Sequence, residues 1–173
     1  PGPMDKARLR IAYVAAHFHR SLLMPVLASH ASRDLDVFLY CDISEESLGH
    51  LARRIVLLPL RGRSLAVSMR ANRIDVAIDT VGVGAFLGQD DVLQQFAQRV
   101  APVQCAWLGS WAGSGGIFDY VIADAQALPP NSDRLYDEGI VRLPGGQWCW
   151  EPPRCAPPVG TAPWLSRQSI TLG

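Results

Sequence analysis

Two histidines one residue apart, His17 and His19 in His17-Phe18-His19-Arg20, are the side chains here best suited to exchanging a proton near neutral pH. Imidazole is the group whose ordinary pKa falls in that range, so either residue could serve as a general base. A two-histidine metal site lacks a third ligand at suitable spacing. A second candidate is Leu108-Gly109-Ser110-Trp111-Ala112-Gly113-Ser114-Gly115-Gly116. Its glycines let backbone N–H groups approach an anion or a sugar closely, and Ser110 and Ser114 add hydroxyls. It matches neither G-x-G-x-x-G nor a P-loop, so a ligand contact and a plain flexible turn both remain open. A third glycine-bearing segment covers residues 82–88, opening at Gly82.

The other polar residues form weaker constellations. Asp75 and Asp79 are four apart on one strand-like run, on the same side, with no partner evident in the sequence. Asp119, Asp124 and Asp133 read as turn or cap residues. Cys41 and Cys105 fall in apolar runs and read as small buried thiols, while Cys149 and Cys155 have neither zinc nor redox spacing.

Positioning these residues requires elements, and the hydrophobic pattern supplies them. Apolar, β-branched runs at 8–16, 35–41, 55–60, 74–80, 103–108, 120–123 and 139–143 read as strands. Between them, 22–31, 45–54 and a stretch from Leu65 to about Asn72 have helical composition, and Asp90 and Asp91 open a further helix with Val92, Leu93, Phe96 and Val100 on its buried face. Strands alternating with helices predict βαβ units, hence an α/β fold with a doubly wound, Rossmann-like parallel sheet. In such sheets ligands bind beyond the carboxyl ends of the strands, which is where all three candidate loops fall. Residues 1–7 read as a remnant and lead-in before a domain at 8–146. A proline- and tryptophan-rich linker covers 147–168, and 169–173 begin another apolar run. Trp148, Trp150 and Trp164 are expected to pin that linker to the domain.

Bulk properties exclude several classes. The chain has 173 residues, enough for one domain burying roughly 70% of its unfolded surface. It carries 16 basic and 16 acidic residues, so the field that recruits nucleic acid or anionic membranes is missing. Its apolar runs fall short of the roughly 18 residues a spanning helix needs, which predicts a cytoplasmic protein with neither nucleic acid nor membrane as partner.

One string carries a specific resemblance. Ala101-Pro102-Val103-Gln104-Cys105-Ala106-Trp107-Leu108-Gly109 resembles the APVQ-x-x-WLG segment of the O-GlcNAc transferase and SPINDLY-type glycosyltransferases. Gly113-Ser114-Gly115, then Asp119-Tyr120-Val121-Ile122-Ala123-Asp124, Pro129-Pro130, Tyr136 and Val141-Arg142-Leu143-Pro144 follow in the family's order. Looser similarity marks 9–14, 36–40, 74–79 and 170–173, so the resemblance covers almost the whole chain. It implies the N-terminal half of a GT-B fold and, with it, a protein O-glycosyltransferase moving a sugar from a UDP-sugar, UDP-GlcNAc above all, to a Ser or Thr of a protein or peptide acceptor. No cofactor or metal is implied.

The resemblance also implies roles and a missing partner. His19 stands near the family's catalytic-loop histidine, although the loop is shorter by about four positions. His17, Gly82, Gly109, Ser110, Ser114 and Gly115 would line the acceptor or sugar cleft. Most of the UDP-sugar site belongs to a C-terminal GT-B half, expected from the same gene or a partner chain. Where relatives read GHTxGNR, this chain has Gly82-Val83-Gly84, and valine neither transfers a proton nor donates a hydrogen bond. Two readings therefore stand: half of an active transferase, or a non-catalytic binding or partner module that kept the fold. A nucleotide-sugar epimerase is disfavoured because no dinucleotide glycine motif follows the first strand.

Overall fold

The computed structural model describes residues 8–32, 34–62, 64–82, 90–109, 112–153, 155–162, 164–165 and 169. Most of the apolar run expected at 169–173 lies outside the described residues, as do Ser110 and residues 83–89.

Seven parallel strands form one sheet in the order β3-β2-β1-β4-β5-β6-β7. They are β1 Leu9–Val14, β2 Leu35–Tyr40, β3 Ile55–Leu58, β4 Val76–Asp79, β5 Val103–Trp107, β6 Tyr120–Ala123 and β7 Gly139–Arg142. The helices are α1 Arg20–Ala31, α2 Leu65–Ala71 and α3 Asp90–Ala97, with 3-10 segments at Glu45–Arg53 and Pro130–Leu135. The order is that of a doubly wound α/β sheet, as the alternation of elements predicts.

Strand pleating divides the apolar residues between two cores. Ala12 and Val14 of β1, Phe38 and Tyr40 of β2 and Ala106 of β5 face α2 and α3, whose Leu65, Met69, Val92 and Phe96 complete one cluster. The intervening Ile11, Tyr13, Val37, Leu39, Cys105 and Trp107 face α1 and the first 3-10 segment, meeting Leu23, Leu27, Leu48 and Leu51. Burial on both faces is why these strands read as nearly continuous apolar runs. The connections that run outward from β1 therefore lie on one face, while α2 and α3 lie on the other. Between β1 and β4 the winding reverses, opening a crevice at their carboxyl ends.

The local differences from expectation have local causes. The segment at 45–53 is a kinked 3-10 turn because Gly49, at φ 55 and ψ −126, leaves helical geometry. Helix α1 begins at Arg20 and carries Pro25 in its interior. Proline has no N–H, so the carbonyl four residues back, that of Ser21, loses its helical donor. The N–H of Glu151 donates to that carbonyl at 2.9 Å.

Candidate functional site

Two loops flank the crevice. After β1, Ala15 and Ala16 lead to His17 and His19, both exposed, with ring centroids 6.4 Å apart. His19 precedes α1 and its carbonyl accepts from the N–H groups of Leu22 and Leu23, which leaves the imidazole uninvolved in capping. After β4, Thr80 ties back to β1, its N–H and its hydroxyl both donating to the Val14 carbonyl, at 3.0 and 2.8 Å. The two loops are thus fixed to one another at their roots.

The carboxylate of Asp79 organises the second loop. It is 1% exposed and accepts the N–H groups of Val81 at 2.9 Å and Gly82 at 3.1 Å. This corrects the expectation that Asp79 lacks a partner: its partners are the backbone groups two and three residues ahead, an Asx-type turn. Asp75 is also engaged, accepting the Arg10 N–H at 2.8 Å. Burial pushes the Asp79 carboxyl up to about 6, although both N–H bonds favour its ionised form. Gly82 follows with φ 89, a left-handed conformation that suits glycine.

The loop after β5 is pressed against this turn. A Cβ at Gly109 would fall 2.3 Å from the Val81 carbonyl carbon and oxygen and 2.5 Å from the Gly82 nitrogen, so no side chain fits there. The string that carries the resemblance builds this contact from below. The Gln104 amide, fully buried, accepts from the Val100 N–H and donates to the carbonyls of Phe96 and Ile117. Trp107 donates from its indole nitrogen to the Gln147 carbonyl at 3.3 Å. Asp124 accepts the N–H groups of Gln126, Ala127 and Gln147, and the Ala127 and Gln147 bonds hold its carboxyl below the usual range. Asp124 is thereby the turn residue the sequence suggests.

Ser114 and Gly115 lie elsewhere. The Ser114 N–H and hydroxyl both donate to Glu138 Oε1, while its oxygen accepts the N–H groups of Ile117 and Phe118 at 3.1 Å. Glu138 immediately precedes β7, at the amino edge of the sheet, so Ser114 is placed away from the carboxyl-edge crevice and its hydroxyl is consumed in holding the β5–β6 connection. Gly115, at φ 69, belongs to the same connection. Gly109, by contrast, stands against Val81 and Gly82.

The linker tryptophans also differ from expectation. Trp148, Trp150 and Trp164 are 50, 61 and 57% exposed, so their indoles do not pin the segment by burial. The backbone does this instead, through Glu151 and Ser21. It brings Trp150 to a cavity of about 370 Å³ that it lines with Phe18, His19, Arg20, Ser21 and Leu22. The sequence pattern names Trp150 and Asp79 but places neither beside the candidate loops, where the structure puts them. Among the described residues no group of three or more His, Cys, Asp or Glu could hold a metal ion, and no helix is long and apolar enough to cross a membrane.

Fold and crevice define the chain as a Rossmann-like α/β domain of the type that forms half of a GT-B glycosyltransferase. No family model matches it. It is 34% identical over 113 residues to a probable UDP-N-acetylglucosamine--peptide N-acetylglucosaminyltransferase SPINDLY of Solanum lycopersicum, a match covering 64% of this chain and 12% of that protein. A SPINDLY protein of Arabidopsis thaliana matches at 34% identity over the same length. Among solved structures, a mutant O-GlcNAc transferase of Thermobaculum terrenum superimposes with a TM-score of 0.71 at 29% identity, over 90% of this chain and 31% of that one. The chain is thus similar to a partial region of O-GlcNAc transferase and SPINDLY-type proteins. It spans about an eighth of the length of the curated relatives it matches.

Proposed function

We propose that this chain is the acceptor-facing half of an inverting protein O-glycosyltransferase that transfers a sugar, GlcNAc, from UDP-GlcNAc to a Ser or Thr hydroxyl of a cytoplasmic protein. The observation that carries the reading is the position of His19, exposed at the carboxyl edge beside the point where the sheet reverses its winding and lining a cavity of about 370 Å³. In the reaction the acceptor oxygen bonds to the anomeric carbon as the bond from that carbon to the diphosphate breaks. UDP leaves with the electron pair, and His19 takes the hydroxyl proton. The diphosphate is held by the C-terminal half, supplied by the same polypeptide or by a partner chain. Gly82 and Gly109 keep this part of the crevice wall free of side chains, so that the two loops can lie against one another beside the substrate.

The test uses the longest product of the gene with UDP-[14C]GlcNAc and a serine-containing peptide. His19→Ala should lower transfer about 100-fold or more, the usual contribution of a general base, with the fold intact. Transfer unchanged in that variant sinks the assignment of His19.

A second reading has its own support. Val83 stands where relatives carry a polar residue, which favours a module that binds a protein partner without transferring sugar. Peptide binding by the full product, with no label incorporated and no UDP-GlcNAc consumed, would establish that reading over the first.

A further inference from the structure

Helices α2 and α3 end alike. Each is followed by a polar residue, an arginine and a buried aliphatic residue: Asn72-Arg73-Ile74 and Gln98-Arg99-Val100. Both arginines are left-handed, at φ 52 and φ 59. The bonds are those of a helix terminus closing on itself, Arg73 N–H to Arg70 carbonyl and Ile74 N–H to Met69 carbonyl at 3.0 Å, and Arg99 N–H to Phe96 carbonyl at 2.9 Å. Helices ordinarily place glycine at this position because a side chain there is strained. A chain that puts a long cation there twice, in successive units, accepts that strain in both places.

Both arginines converge on one place. Together with Arg70 they line a groove of about 450 Å³ at the amino ends of β4 and β5, on the sheet edge opposite His19, with Val100 and Ala101 in its floor. Arg99 grips a carboxylate in this corner already, its Nη2 standing 2.8 Å from both oxygens of Asp119. Arg70 donates to the carbonyls of Gln98 and Arg99 at 2.5 and 3.1 Å. Asp75, at the rim, is occupied by the Arg10 N–H. Among the described residues the Arg73 guanidinium, exposed, has no hydrogen-bond or ion-pair partner. The groove thus keeps an excess of positive charge in a chain whose total charge is zero.

We propose that this amino-edge groove binds an acidic peptide segment, with Arg73 supplying a carboxylate anchor and the apolar floor receiving the chain between carboxylates. Guanidinium matches carboxylate geometry with paired N–H donors, and a groove with apolar floor and cationic rim suits a peptide rather than a small hydrated anion. The strain at Arg73 is the feature that links fold to ligand, since strained backbone persists where a function depends on it.

The test exploits that strain. Fluorescence anisotropy with a fluorescein-labelled octaglutamate peptide, using the full chain at about 50 mM salt, should give saturable binding that weakens several-fold at about 500 mM. Octaglutamine should not bind. Arg73→Gly should raise or preserve the melting temperature, because glycine suits the left-handed terminus, while weakening octaglutamate binding about fivefold or more. Arg73→Gly binding the peptide as the parent does overturns the proposal, as does a parent that fails to bind at low salt. Displacement of the peptide by inorganic pyrophosphate at equal charge concentration would overturn it in favour of a small-anion pocket.

Discussion

The Glu151 N–H and the Ser21 carbonyl, 2.9 Å apart, join at the rung of α1 that Pro25 leaves without a helical donor. A helix interior proline, ordinarily only a cost, here frees an acceptor for a segment far along the chain. That bond holds Trp150 over the cavity beside His19. Glu151→Pro removes the donor and nothing else of the backbone bonding described for this contact. Hydrogen exchange of Trp150 and its neighbours should rise, while the unfolding free energy falls by no more than the worth of one hydrogen bond, about 1 kcal/mol. A drop of several kcal/mol would mean that the segment is part of the core.

Gly109 allows the loops after β4 and β5 to touch. Since a Cβ there would stand 2.3 Å from the Val81 carbonyl, Gly109→Ala forces the two loop roots apart rather than displacing a flexible side chain. Overpacking against backbone should destabilise by about 2–4 kcal/mol in chemical denaturation, and it should abolish transfer if both loops form the crevice wall. A variant as stable as the parent would show that the loops separate freely.

Asp79 gives the chain a pH dependence opposite in sign to that of Asp119, Asp124 and Glu138. Its folded-state pKa is raised to about 6 by burial, so the folded state holds a proton that the unfolded state releases near the ordinary carboxylate value. The stability it lends is full below that ordinary value and is lost as pH rises through about 6. Asp79→Asn, which stays neutral and keeps an oxygen to accept one loop N–H, should remove this loss. Between pH 4 and pH 7 the variant should gain on the parent by on the order of 1–3 kcal/mol. Denaturation midpoints that run parallel over that interval would contradict the assignment.

The sheet was legible because both its faces are covered: β1, β2 and β5 show as apolar runs whatever their neighbours, and the residues between them have room only for helices or short turns. The histidines were legible by type alone. What resisted reading depends on partners distant in sequence or on backbone groups that carry no residue signature. Ser114 looked like a cleft hydroxyl because nothing near it names Glu138, 24 residues on. Asp79 looked partnerless because its partners are N–H groups, although an aspartate closing a strand three residues before a glycine is itself an Asx-turn signal. The indole of Trp150 suggests an anchor by burial, whereas its placement comes from Pro25 and the N–H of Glu151.

Ser114 then makes a prediction that a cleft role does not. Burial opposes ionisation of Glu138, but the bonds from the Ser114 hydroxyl and the N–H groups of Ser114 and Gly116 outweigh it and hold the carboxyl below its usual range. A depressed folded-state pKa means stability present above the unfolded value and lost as pH falls through the folded one. Ser114→Ala removes one of those donors and also strips the Ile117 and Phe118 N–H groups of their acceptor. The variant should lose about 2–3 kcal/mol at neutral pH, and its acid-unfolding midpoint should move to higher pH, since the Glu138 carboxyl returns toward its ordinary value. Ser114→Thr keeps both the donor and the acceptor and should restore the midpoint. If instead Ser114→Ala folds as the parent does and loses only transfer activity, the hydroxyl is a substrate contact and the structural assignment fails.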